Sequence, residues 1–391
     1  MNIYILSAFE DSMRKETGGS VRIYNLAKAL AATGNNVHVV LPNFETNSKI
    51  VDGIAVHELK GLLPKAVLKA VGNRAHIVRP SSFYFYDFLF ILKTLPKLRE
   101  ADVVQIEQPI LGIALIPFIQ KILKKSVALD CHDVFQAVRV KQTGPLRRIL
   151  ETFLEKLAYK NANIILTVSE KEKQLLISSG VQRNKIFVAP NGVDTDSFQK
   201  TGSAHAVRTR YGLGDSQIIV FLGNLSYLPN REAIELISSK IAPQVKAEIA
   251  EAKFMVIGKT PKDLHLPHIH FTGFVDDVAG VLATANVGIA PLLHGSGTRL
   301  KILEYFSSGI PVVSTSVGAE GLQVKHEQNI LIVDDLENFA VEIVRLLEDD
   351  ELCLSLGKAG KETAAKYDWK KIATQLASDY RNFLSQQKGN K

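Results

Sequence analysis

A chain of 391 residues exceeds one ordinary hydrophobic core, so two domains are the expectation. Hydrophobic residues make up 46% and the mean hydropathy is +0.07, the balance of a globular protein, and the longest clean apolar run, residues 109–119, is too short to span a bilayer. The net charge of +7 is lopsided: residues 1–195 hold 26 Lys/Arg against 17 Asp/Glu, residues 196–391 hold 21 against 23, and no recognised motif accompanies the basic half, which argues against nucleic acid as a partner.

The chain opens on residues 3–7, which read as a strand; a basic n-region and a long apolar core, the marks of a signal peptide, are lacking. After a polar loop at 11–17, Gly18-Gly19-Ser20 starts a helix whose Ile23, Leu26, Ala27 and Leu30 recur at i, i+3, i+4 and i+7. Gly34 ends it, and 37–41 is the next strand. Lys65, Lys69, Arg74 and Arg79 then interleave with Leu62, Leu63, Val67, Leu68 and Val71, and an aromatic run follows at 83–90. That combination suits a solvated helix followed by a buried one, the reading favoured for the aromatic run. It suits equally a basic surface resting on an anionic membrane. Further strands fall at 103–106, 127–129, 164–168 and 186–188, with helices between them, including a long one near 146–162.

Pro190-Asn191-Gly192-Val193-Asp194 and the polar stretch to Asp215 mark a boundary. A second alternating series follows, with strands at 218–223, 253–257, 270–272, 287–290, 311–315 and 330–333, and a closing helix after Tyr367-Asp368-Trp369. Two βαβ series predict two doubly wound α/β domains, with ligands at the carboxyl ends of the strands. Two cysteines, Cys131 and Cys353, offer no disulfide framework, which fits a reducing cytoplasm.

The chemically densest stretch is Ser296-Gly297-Thr298-Arg299-Leu300-Lys301-Ile302-Leu303-Glu304, at the mouth of a helix that Gly309 and Pro311 terminate. Thr298 or Ser296 is a candidate cap, Gly297 permits close backbone approach, and the helix N-terminus attracts an anion. Arg299 and Lys301 suit phosphate oxygens, and Glu304, one turn beyond Lys301, suits the hydroxyls of a ribose. Phosphate plus polyol reads as a nucleotide sugar; a capped surface helix with an ordinary Lys301–Glu304 pair is the bland alternative.

These pieces, in this order, resemble the retaining glycosyltransferases of family 4, which have the GT-B fold of two Rossmann-like domains facing a central cleft. The resemblance runs nearly end to end. It is carried by Gly18-Gly19, His132-Asp133, Val168-Ser169-Glu170, Ala189-Pro190-Asn191-Gly192-Val193-Asp194 with Phe198, Phe221-Leu222-Gly223, Thr272-Gly273-Phe274-Val275, and the run from Glu304 to Val313. It implies an acceptor-side domain at 1–192, a nucleotide-sugar domain at 193–370, and a terminal helix at 371–391 that packs back toward the first domain. It also implies that Glu304 binds ribose, that Arg299 and Lys301 neutralise the diphosphate, and that Gly18 and Gly19 reach the donor phosphate or sugar. Gly223, Asn224, Ser296, Gly297 and Thr298 complete the donor site, and the backbone near Phe274 and Val275 holds the base. His132, oriented by Asp133, lines the reaction centre; its own chemistry fits a general base, a sugar ligand or a satisfied core histidine.

The implied donor is a nucleoside diphosphate sugar, with no essential metal. The implied acceptor is a glycan or lipid-linked hydroxyl in cell-surface polysaccharide or glycoconjugate synthesis, met in the cytoplasm or at the inner face of the membrane. Two departures stand out. The family often has a carboxylate where this chain has Ser296, which leaves the transferred sugar open. The family's Arg…Lys pair after the first strand of the second domain is not evident between Gly223 and Arg231, so Arg299 and Lys301 are expected to supply that charge. Asp194-Thr195-Asp196 spells a metal-binding D-x-D but sits in the linker signature. Cys131 reads as a buried strand-end residue rather than a nucleophile, Glu107 as a candidate acceptor contact, and Glu170 as a cap of its helix. The competing functions are a GT-B sugar-nucleotide 2-epimerase, which needs more cleft carboxylates, and a non-catalytic sugar-nucleotide-binding subunit, which Ser296 keeps open. No G-x-G-x-x-G follows the first strand and no P-loop is present, which disfavours a dehydrogenase or an ATPase.

Overall fold

A computed structural model of the chain describes residues 1–7, 12–14, 18–43, 45–60, 88–107, 109–131, 145–199, 204–261, 263–295 and 298–389. The chain forms two compact units, one of Met1–Pro190 with Trp369–Lys391 and one of Asn191–Asp368.

In the first unit the order is β1 (Asn2–Leu6), α1 (Gly18–Ala32), β2 (Asn36–Asn43), β3 (Asn47–Val51), β4 (Ile54–Lys60), α2 (Phe88–Lys97), β5 (Val103–Glu107), α3 (Pro109–Lys121), β6 (Ser126–Cys131), α4 (Pro145–Asn161), β7 (Ile164–Thr167), α5 (Glu170–Ser178) and β8 (Ile186–Val188). The sheet runs β3-β4-β2-β1-β5-β6-β7-β8 and is parallel except for β3. The β3–β4 hairpin escapes the hydrophobic pattern because β3 is an exposed, mostly polar edge strand. Its turn was written in Asp52-Gly53: both residues have positive φ, 50° and 79°, the conformation of a tight hairpin turn.

In the second unit come α6 (Ala204–Arg210), β9 (Ile218–Leu222), α7 (Leu228–Leu236), α8 (Ala242–Glu248), β10 (Lys253–Ile257), β11 (Ile269–Gly273), α9 (Val278–Leu282), β12 (Val287–Ala290), α10 (Leu300–Ser308), β13 (Val312–Ser314), β14 (Leu331–Ile332), α11 (Leu336–Glu348) and α12 (Asp350–Ala364). The sheet order is β11-β10-β9-β12-β13-β14, all parallel. Alternation along β9 explains why both faces are covered. Ile219 and Phe221 enter a core with residues of α7, α8 and α11, whereas Ile218 and Val220 enter one with residues of α9 and α10.

The last helix, α13 (Trp369–Gly389), belongs to the first unit. Trp369, Ile372, Ala373, Leu376, Ala377 and Tyr380 pack with α1 and with Ile3 and Ile5 of β1, while Tyr4 and Leu6 face the opposite core with α2, α3 and α4. A buried polar chain runs beneath this helix. Tyr380 donates to Gln105 Oε1 at 2.8 Å, and Gln105 Nε2 donates to Glu107 Oε1 at 2.8 Å and to Asp130 Oδ2 at 3.3 Å. Arg22 of α1 grips Asp130 with Nε and Nη2, at 3.1 and 3.0 Å, and gives Nη1 to the carbonyl of Pro190. Among the described residues, no helix is long and apolar enough to cross a membrane.

Candidate functional site

The site grows from α10. Its apolar side buries Ile302, Leu303, Tyr305 and Phe306, so the spacing turns Lys301 and Glu304 to the other side. Gly309 ends it in the left-handed conformation at φ 75°, and Pro311 precedes β13, as the sequence predicts. The start of the helix differs from expectation. The N-cap is Arg299, without a side-chain capping bond, and Thr298 lies one residue outside. Thr298 is 7% exposed and its hydroxyl has no hydrogen-bond partner among the described residues, so burial against Gly321 has displaced it from the capping role.

Tyr305 fastens this helix to the sheet. Its hydroxyl accepts from the backbone N–H of Leu222 at 2.6 Å and donates to Ile289 O at 3.5 Å, so the carboxyl ends of β9 and β12 are held against α10. Burial pushes this phenol above its ordinary range. Contacts place two of the three charged groups of this helix, Arg299 and Lys301, against residues at and beyond those strands. Arg299 is buried, and a side chain at Gly295 would stand 2.8 Å from its Nη2 and 3.1 Å from the Tyr227 hydroxyl. Lys301 Nζ lies 3.8 Å from the centroid of the Phe221 ring and donates to Asn230 Oδ1 at 2.9 Å. Desolvation lowers its pKa well below that of an ordinary lysine, the Arg299 charge adds to the fall, and Glu304 opposes it. The Glu304 carboxyl is pushed up to about 7 by desolvation, with Lys301 pulling the other way. A partly desolvated cation close to a carboxyl poised near neutrality suits a ligand that brings both anionic and hydroxyl groups.

Gly223 and Asn224 sit where β9 leaves the sheet, and Phe274 and Val275 follow β11. Phe274 is 66% exposed, whereas Val275 packs on the core, so the loop offers backbone and one aromatic face. Gly18 and Gly19 are the first residues of α1. His132, Asp133, Ser296 and Gly297 lie outside the described residues, as do Lys65, Lys69, Arg74 and Arg79 of the basic stretch and residues 83–87 of the aromatic run; Phe90, the last residue of that run, is fully buried.

The remaining sequence candidates resolve structurally. Cys131 is buried and its thiol is raised by desolvation and by Asp130, Glu155 and Glu172, which keeps it protonated. Glu107 is 1% exposed and accepts from Gln105. The cap of α5 is Ser169, accepting from the Glu172 N–H, while the Glu172 carboxylate accepts from the Val168 N–H; the capping pair thus uses Glu172 and not Glu170. In the D-x-D stretch, Thr195 donates its N–H and its hydroxyl to Asp368. Among the described residues no three His, Cys, Asp or Glu side chains gather to hold a metal ion. Sequence reasoning missed Asn230 and Phe221 as partners of Lys301, because their contacts span 71 and 80 positions; the Pro229-Asn230 helix start was the available signal.

The comparisons with known proteins agree with this architecture. Residues 17–197 match the profile of glycosyltransferase family 4, and residues 216–349 match that of the glycosyl transferases, group 1. Similar proteins include a sulfoquinovosyl transferase of Arabidopsis thaliana, 26% identical over 53% of this chain and 42% of its own length. Another is a phosphatidyl-myo-inositol mannosyltransferase of Mycolicibacterium smegmatis, 26% identical over 49% of this chain and 50% of its own length. The chain thus aligns with about half the length of these relatives. Among solved structures, sucrose-phosphate synthase from Thermosynechococcus elongatus aligns with a TM-score of 0.74 at 19% identity, over 98% of this chain and 99% of its own. Anabaena HepE in complex with UDP-glucose aligns with a TM-score of 0.70 at 16% identity, over 98% of this chain and all of its own. The fold is GT-B, and the chain belongs to the family 4, group 1 glycosyltransferases.

Proposed function

We propose that the chain moves a sugar from a nucleoside diphosphate sugar to a hydroxyl of a glycan or lipid-linked acceptor, with retention at the anomeric carbon and without an essential metal. In this reading Glu304 accepts from the ribose hydroxyls, Arg299 and Lys301 hold the diphosphate, the loop at Phe274 and Val275 carries the base, and His132 hydrogen-bonds the transferred sugar. The observation that carries it is the start of α10: Arg299, Lys301 and Glu304 fall within its N-cap and first two turns, with Lys301 over the Phe221 ring of β9. Breaking the glycosidic bond builds negative charge on the departing diphosphate. Cations fixed in a partly desolvated site stabilise that charge more than they stabilise the bound substrate, so they lower the barrier. UDP is the first donor base to try, given the HepE complex. The resemblance to a phosphatidyl-myo-inositol mannosyltransferase and the basic excess of residues 1–195 favour an acceptor that is anionic or membrane-held.

A thermal-shift screen against UDP, GDP, ADP, CMP and TDP, with and without Mg²⁺, tests the reading. One nucleotide at a hundred times its Kd should raise stability by about 2.7 kcal/mol, independently of Mg²⁺. The rise should vanish in Arg299→Ala. No shift with any nucleotide overturns the donor site; a shift without sugar transfer or donor hydrolysis supports the non-catalytic subunit instead.

A further inference from the structure

We infer that Asn230 is a positioning residue of the donor site: its side-chain oxygen aims the Lys301 ammonium at the diphosphate. This rests on the donor-site reading above.

A desolvated ammonium ordinarily seeks a carboxylate. Lys301 instead gives its hydrogen bond to an amide oxygen, Asn230 Oδ1 at 2.9 Å, and lays the charge on the Phe221 ring. An ammonium has three donors, and among the described residues this is the one hydrogen bond it makes. A neutral acceptor fixes its direction without cancelling its charge. That is what an anion-binding lysine requires, and a carboxylate at 230 would defeat it.

Asn230 is built to be held still. It is 7% exposed, and its Nδ2 donates to the carbonyl of Asn224 at 2.9 Å. With a carbonyl on one side of the amide and an ammonium on the other, both partners select the same orientation, and a flipped amide would meet donor with donor. Its backbone N–H donates to Tyr227 O at 3.1 Å, which places it in the first turn of α7. The exit of β9 is shaped around it: a Cβ at Gly223 would lie 2.8 Å from Asn230 Nδ2 and 3.1 Å from the Phe221 ring, so only glycine admits both neighbours of Lys301. The lysine comes from α10 and its holder from the first turn of α7, the helix that follows β9. Lys301 brings the charge and Asn230 its direction, from two segments that lie 71 positions apart.

The test measures affinity for UDP, uridine and inorganic pyrophosphate in the full chain. Asn230→Ala should weaken UDP and pyrophosphate by about tenfold and leave uridine unchanged, because only the charge-assisted contacts are lost. Asn230→Asp keeps size and acceptor yet should weaken UDP at least as much, since its carboxylate competes with the phosphates for Lys301. The exchange Asn230→Lys with Lys301→Asn, which returns an ammonium to the same point, should bind UDP better than Lys301→Asn alone. Equal losses for UDP and uridine in Asn230→Ala would mean a general structural role and overturn the inference. So would wild-type UDP affinity in that variant while Lys301→Ala is impaired. If wild-type protein binds neither UDP nor pyrophosphate, the donor-site reading falls and this one with it.

Discussion

Glu304→Gln separates the electrostatic cost of the site from its use. The carboxyl sits near pH 7 in the folded chain against an ordinary 4.5, because burial disfavours its charged form. The folded state therefore binds a proton that the unfolded state releases between these values, and wild-type stability falls as pH rises from about 4.5 to about 7, then stays level. At 1.36 kcal/mol per pH unit the loss is bounded at about 3 kcal/mol, and the side chain's partial contact with water reduces a working figure to about 2 kcal/mol. Glutamine keeps the shape and removes the charge. Calorimetric melts at pH 5, 6, 7 and 8.5 should show the variant nearly level with wild type at pH 5. At pH 8.5 it should lead by roughly 4–8 °C for a unit of this size. UDP should raise the wild-type melting temperature at pH 8.5 by more than it raises the variant's, since an amide is a poorer acceptor for paired ribose hydroxyls. A lead independent of pH, or a variant less stable at pH 8.5, would refute the reasoning.

Two further outcomes concern the scaffold. Tyr305→Phe removes the acceptor of the half-buried Leu222 N–H and should lower the stability of the second unit by about 1–2 kcal/mol in denaturant melts. Arg22→Ala leaves Asp130 charged and buried; it should destabilise the first unit by about 3–5 kcal/mol, and Arg22→Met with Asp130→Leu should recover much of that loss.

The alternation of strands and helices was legible because the central strands are buried on both faces and so read as unbroken apolar runs, as in Ile218-Ile219-Val220-Phe221-Leu222. Asn47-Ser48-Lys49-Ile50-Val51 carried no such signal, since an edge strand facing water needs no apolar pattern. The helix of Lys301 and Glu304 was legible for a local reason: both residues lie in its first turns, and Gly309 marks its end. What holds Lys301 was not legible, because its contacts depend on how β9, α7 and α10 pack. The Thr298 cap failed similarly: propensity favoured it, but burial decided where its side chain went. Arg22 and Asp130, 108 positions apart, each looked unremarkable in its own segment.

The interrupted first unit has a consequence for biosynthesis. Its sheet is laid down early, but Trp369 and Tyr380, which seal one face of it, leave the ribosome only after Asn191–Asp368 has been made. At ordinary elongation rates that is a delay of roughly 10–35 s. Throughout it, Ile3, Ile5 and the inner side of α1 lack their cover while the second unit is free to finish folding. The domain begun first is completed last, and chaperone demand should peak in that interval and end with the final helix.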